Sequence, residues 1–170
     1  MSHRWHVFAV DARGHGKSDH VPGGNYNMTV QTDDAAHFIE NLVGGPAVVI
    51  GHSMGALTTI GLAGTRPDLV TAAVLEDPPA FIASALQTSD FYTRFVASRD
   101  RMRSGISMED LVAELKGNDP SGFATAIRAM AATYVAMDPE AWTPPIGSRY
   151  LEDLDMAPTL SAIECPVLLL

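Results

Sequence analysis

A serine with a glycine two positions away on either side, Gly51-His52-Ser53-Met54-Gly55, follows the apolar run Ala47 to Ile50 and precedes a helical pattern. That spacing places Ser53 where a strand turns sharply into a helix, a nucleophile elbow. There the hydroxyl is lifted clear of the sheet, and the first N–H of the helix, from Met54, can form half of an oxyanion hole. The chemistry is acyl transfer: a hydroxyl attacks a carbonyl, and backbone N–H groups stabilise the charge that develops. Both flanking glycines are expected to be required, because a β-carbon at either would crowd the turn. A serine hydroxyl is a weak nucleophile at neutral pH without a base, and an elbow serine takes its partners in the order Ser, Asp or Glu, His. All six histidines (His3, His6, His15, His20, His37 and His52) precede Ser53. The usual base is therefore missing. His15, in a loop on the Ser53 side of the sheet, is the candidate base, and Asp77, just after a strand, is the candidate acid. His52 points away from the nucleophile and suits a supporting role.

The elements that would hold these groups follow from apolar runs and their punctuation. Trp5 to Val10 reads as a buried strand, and Asp11 to Asp19 as a glycine-rich polar loop. Thr29 can cap a helix carrying Val30, Phe38, Ile39 and Leu42, which ends at Gly44 and Gly45. Ala47 to Ile50 is a strand, Ser53 to Arg66 a helix stopped before Pro67, and Ala72 to Leu75 a strand closed by Glu76-Asp77-Pro78-Pro79. Strands alternating with helices predict an α/β fold with a parallel sheet, right-handed crossovers and helices on both faces. From about Ala80 to Ile163 helices follow one another without strands, as in an inserted helical region. Ser89 can cap a helix carrying Phe91 and Phe95. Ser107 with Asp110 forms a capping-box signature for a helix ending at Gly117. A third helix carries Phe123, Ile127, Met130, Tyr134 and Met137, and Pro139 after Asp138 starts a short turn. Pro166 to Leu170 is a last parallel strand.

The bulk numbers restrict the partners. A chain of 170 residues with 46% hydrophobic and 18% charged residues is long and apolar enough for one folded domain. A net charge of −9 repels phosphate backbones and anionic membranes, so nucleic acid is excluded as a partner. No apolar run reaches the ~18 residues of a membrane span, and no signal-peptide core opens the chain, so a cytoplasmic location is expected. The single cysteine, Cys165, rules out an internal disulfide and a Cys-rich metal site; before Pro166 it reads as a buried, inert thiol. No cofactor or metal is called for. Gly14 and Gly16 do not complete a phosphate-binding pattern.

Four segments together resemble the α/β-hydrolase family. They are Asp11-Ala12-Arg13-Gly14-His15-Gly16-Lys17-Ser18 after a strand, the elbow, Leu75-Glu76-Asp77-Pro78-Pro79, and Ile163-Glu164-Cys165-Pro166-Val167. The resemblance implies a partial α/β-hydrolase core at 1–79 and 164–170 with a helical cap at 80–163. It also implies that the chain covers the family pattern from its fourth to its seventh strand. The parts supplying the second oxyanion N–H, the acid and the histidine then lie outside the pattern covered. Of the family's functional groups, Ser53 as nucleophile and the Met54 N–H carry over.

The implied function is a serine hydrolase acting on small carboxylic esters through an acyl-enzyme at Ser53. The alternative is a truncated, catalytically impaired fragment that folds as an oligomer. In either case the family's third strand, absent here, would lie between Trp5–Val10 and Ala47–Ile50. Trp5–Val10 is therefore expected to pair directly with Ala47–Ile50 or to be supplied to another subunit. Unpaired edges also predict a homodimer or larger homo-oligomer.

Overall fold

The computed structural model describes residues 4–80, 90–146 and 154–170. Three parallel strands, β1 (Ala47–His52), β2 (Val70–Glu76) and β3 (Val167–Leu169), form one sheet in the order β1-β2-β3. Each apolar run read from the sequence as one of these three strands is present. Helix α1 (Met28–Phe38) continues as one π-helical stretch, Ile39–Val43, and ends on Gly44 in the left-handed conformation at φ 77°. The cap of α1 is Asn27 rather than Thr29. Its buried residues are Met28, Gln31, Thr32 and Ala36, joined by Ile39, whereas Leu42 is exposed. Gln31 Nε2 donates to the Tyr26 carbonyl at 2.8 Å, and Thr32 packs where a β-carbon on Gly61 would sit, its Oγ1 buried without a hydrogen-bond partner among the described residues.

Helix α2 (Met54–Thr65) crosses β1 and β2 and buries Ala56, Leu57, Ile60 and Leu62 against the strands and α1. At about 25 cal/mol per Å² of apolar surface removed from water, this packing is the main stabilising term of the domain. Helices α3 (Asp90–Arg103), α4 (Met108–Asn118) and α5 (Ala124–Val135) form the helical region, followed by a 3₁₀ turn at Pro139–Trp142 and a short α6 (Thr143–Ile146). Ser107 caps α4 as its spacing predicts, accepting from the Asp110 N–H at 3.1 Å. The stripe read for α5 is half right: Ile127 and Met137 are buried, but Phe123 and Met130 face solvent. Ser89 lies outside the described residues. Helix α7 (Met156–Ser161) packs on α2, and Leu154 and Met156 join the main core, although they fall within the stretch read as cap.

Two expectations are corrected. Residues 4–10 form no strand and are exposed, and among the described residues β1 is an edge of the sheet. The segment is nonetheless extended: residues i and i+2 of an extended chain project to one side, and the His6 and Phe8 rings stack at 4.3 Å. The second correction concerns the covering of the sheet. Ala47, Val49, Ala73 and Leu75 point into the core under α2. Val48, Ile50 and Leu168 project to the opposite face and are 44%, 71% and 54% exposed. Parallel sheets ordinarily bury both faces; among the described residues this one is well covered on one.

Candidate active site

β1 delivers Ser53 at its carboxyl end. The backbone there is φ 51°, ψ −113°, a conformation L-residues rarely adopt. Two backbone interactions hold it. The Ser53 N–H donates to the Glu76 carbonyl at 2.9 Å, fastening the turn to the end of β2, and the Ser53 carbonyl accepts from Ala56 and Leu57 as α2 begins. Gly51 is required, because a β-carbon there would overlap the Gly55 carbonyl and the Ala56 nitrogen. Gly55 is not required on steric grounds, since a β-carbon there meets nothing within 4 Å. The strain at Ser53, of order 1–3 kcal/mol, has no packing benefit on its own account. The side chain is half-buried, and among the described residues no hydrogen bond reaches its Oγ. Met54 opens α2, where first-turn N–H groups have no intrahelical acceptor.

The other sequence-predicted groups are not joined to Ser53 by hydrogen bonds. His15 is half-buried, and its Nδ1 lies 2.9 Å from the Arg13 carbonyl, which leaves Nε2 as the nitrogen open to other partners. Asp77 is exposed, follows β2 at φ 46°, and its N–H donates to the Leu170 carbonyl at 3.0 Å. His52 is exposed on β1. Cys165 is half-buried and free of any disulfide. Among the described residues no cluster of His, Cys, Asp and Glu could hold a metal ion, and no helix is long and apolar enough to cross a membrane. Open grooves of about 850 and 340 Å³ lie among α3–α5 and beside His20, and Ser53 does not line them.

The glycine-rich loop that carries His15 is satisfied from within. Asp11 Oδ2 accepts from the Lys17 N–H at 3.0 Å, Ser18 Oγ donates to the Asp11 carbonyl at 2.6 Å, and the Gly14 N–H reaches the Asp19 carbonyl at 3.0 Å. Gly14 sits at φ 70°, with the Tyr26 ring where a β-carbon would be. Arg13 forks onto both Asp34 oxygens at 2.5 and 2.6 Å, which fastens the loop to α1 and raises the Arg13 pKa above its ordinary value.

A second anchor was not read from the sequence. Tyr26 Oη donates to Asp138 Oδ2 at 2.5 Å and accepts from the Val21 N–H, while the Asp138 N–H donates to the Gly14 carbonyl at 2.7 Å. Burial, then the bond to Asp138, pushes the Tyr26 phenol up to about 12. This knot joins the loop to the helical region across 112 positions of sequence. Its legible half was Asp138 before Pro139, where Asp138 Oδ1 caps the 3₁₀ turn by accepting from the Glu140 N–H.

With this geometry in place, the comparison with known proteins is decisive. The model of the alpha/beta hydrolase family matches residues 1–169. This chain belongs to that family. Among the curated relatives of this alpha/beta hydrolase is the 2-(acetamidomethylene)succinate hydrolase of Mesorhizobium japonicum, 40% identical over 82 residues, which are 48% of this chain and 29% of the relative. Another is the (E)-2-((N-methylformamido)methylene)succinate hydrolase of Acinetobacter baylyi, 29% identical over the whole of this chain and 62% of the relative. The crystal structure of an E-2-(acetamidomethylene)succinate hydrolase superposes with a TM-score of 0.69 at 28% identity, over 94% of this chain and 60% of the other. This alpha/beta hydrolase thus spans less than two thirds of the length of these relatives.

Proposed function

We propose that the chain is a serine hydrolase that cleaves small carboxylic esters through an acyl-enzyme at Ser53. One observation carries this reading: Ser53 is held in a strained elbow at the end of β1 with its Oγ unengaged and the opening N–H groups of α2 beside it. Ser53 Oγ attacks the ester carbonyl carbon, and the Met54 N–H bonds the resulting oxyanion. The tetrahedral intermediate collapses with loss of the alcohol, and water then attacks the Ser53 ester to release the acid. A base must take the Ser53 proton and return it to the leaving oxygen. His15, through Nε2, is the candidate for that role and Asp77 the candidate acid. Relatives named as hydrolases and esterases support the reaction class.

The assay is hydrolysis of p-nitrophenyl acetate and butyrate by the purified chain beside Ser53→Ala and His15→Ala. Loss in Ser53→Ala together with loss in His15→Ala supports the full reading. Loss in Ser53→Ala alone removes His15 from it and leaves water or a carboxylate as base. No effect of either overturns the enzyme reading. It would favour the second, an impaired chain without a working triad, for which the absence of a hydrogen bond to Ser53 Oγ among the described residues speaks.

A further inference from the structure

The helical region is built in two halves. Helix α3 packs mainly on the 3₁₀ turn at Pro139–Trp142 and on α6, whereas α4 packs on α5. The groove of about 850 Å³ runs between these halves. Its size is that of a small-molecule site, and such sites favour the spaces between packed helices. Ala97 and Met102 of α3 line it together with Leu111 and Leu115 of α4 and Tyr134 of α5. Leu111 is buried, and the Tyr134 ring is held edge-on to Trp142 at 5.9 Å. The groove therefore has an apolar wall with one aromatic member.

Its charges are balanced except at one point. Arg101 bonds both Glu114 oxygens, and Asp100 is taken up by Arg99 at 2.9 Å. Arg94, which also lines the groove, forms no hydrogen bond or ion pair, and the polar groups of Ser98, Asn118 and Tyr134 beside it are equally unengaged among the described residues. Arg94, Ala97, Ser98 and Arg101 fall at i, i+3, i+4 and i+7, so a single face of α3 carries the free guanidinium, a free hydroxyl and part of the apolar wall.

We propose that this groove is a second small-molecule site, separate from Ser53, which takes a monocarboxylate with an apolar body. A guanidinium presents a planar fork of donors that matches a carboxylate. Ser98 Oγ and the Asn118 amide offer further donors, and the body of the ligand covers Ala97, Leu111 and Leu115. One unspent cation in a chain of net charge −9 matches one negative charge. A phosphate dianion would bring a second charge towards Asp100 and Glu114, which line the same groove. Because Ser53 does not line it, the site stands whether or not Ser53 reacts.

The test titrates the ¹⁵N-labelled full chain with sodium benzoate and with benzamide, its neutral isostere, and follows the amide shifts. Benzoate should give saturable shifts centred on residues 94–101, 111–118 and 134. Benzamide should bind at least about fivefold more weakly, and Arg94→Gln should weaken benzoate by the same factor, the worth of one exposed ion pair. Arg94 is exposed on its helix, so the variant keeps the fold, which its own amide spectrum verifies. Arg128→Gln, exposed on α5 and not lining the groove, should leave the affinity unchanged. Shifts at Ser53 and Met54 in place of the groove overturn the proposal. So do equal affinities for benzoate and benzamide, equal losses in the two arginine variants, or the absence of any saturable shift.

Discussion

Two glycine-bearing turns hold backbone in the left-handed region. Around Gly14 and Gly16 the strain is answered locally: Asp11, Ser18, Asp19 and Tyr26 occupy or bond whatever the turn exposes. At Ser53 it is not. A non-glycine residue holds φ 51°, fastened through its backbone to Glu76, and its side chain is left unspent. In the first turn the polar groups are consumed by the architecture, whereas the unengaged Ser53 hydroxyl is what the proposed nucleophile requires. The comparison can be broken by substitution in each turn.

The largest effect is expected at Gly51. A β-carbon there meets the backbone of Gly55 and Ala56, which cannot yield without opening the first turn of α2, so Gly51→Ala should cost more than about 4 kcal/mol in urea unfolding. Gly55→Ala, facing open space, should change stability by less than about 1 kcal/mol, and helix propensity favours alanine. Equal losses at both positions would restore the symmetrical reading of the motif.

At Ser53 the effects on activity and stability should separate. Ser53→Ala should lower ester hydrolysis by at least about 100-fold, roughly 2.7 kcal/mol of transition-state stabilisation, with little change in thermal midpoint. Ser53→Gly should abolish hydrolysis equally and raise stability by about 1 kcal/mol, because glycine accepts φ 51° without strain. If Ser53→Gly is no more stable than Ser53→Ala, the elbow stores no strain and the contrast with the Gly14 turn is lost.

The legible parts of the molecule were those decided locally. β1, β2, β3 and the start of α2 follow from apolar runs bounded by Gly and Pro, and Ser53 from its own flanks. Trp5–Val10 has the same composition as these strands, but a strand is defined by its neighbour, and among the described residues none lies beside this segment. The face of α1 was read only in part: Ile39 is buried and Phe38 packs on the core, but Leu42 is exposed, and Gln31 and Thr32 are buried by partners 5 and 29 positions away, Tyr26 and Gly61. The Tyr26–Asp138 knot was invisible for the same reason. Whether His15 serves Ser53 is likewise decided by tertiary placement, and its spacing from the nucleophile carries no signal.

That knot supplies the next prediction on the satisfied turn. Tyr26→Phe removes a donor to buried Asp138 and an acceptor for the Val21 N–H, and should cost about 1–3 kcal/mol. The folded chain holds the phenol proton up to about 12 against an ordinary value of 10.0. The stability it confers is therefore complete below pH 10 and is lost as the pH rises towards 12. Urea midpoints measured across that window should fall in the parent chain more steeply than in Tyr26→Phe. Parallel curves would mean that Tyr26 is not the group that titrates.

The smallest effect should come from Arg13, whose fork on Asp34 is partly open to solvent, with side chains 22% and 46% exposed. Screening at such a site limits an ion pair to about 1 kcal/mol or less, so Arg13→Lys should lower stability by only that much. Lysine keeps the charge but cannot bond both Asp34 oxygens and the Asn25 carbonyl together. The loss should be largely independent of salt if geometry is what Arg13 contributes, and should shrink at high salt if charge is. If the loop only carries architecture, Arg13→Lys leaves ester hydrolysis unchanged. A fall in hydrolysis larger than the fall in stability would instead mean that the Arg13 carbonyl, through His15 Nδ1, positions a working base, and the two turns would then form one catalytic unit.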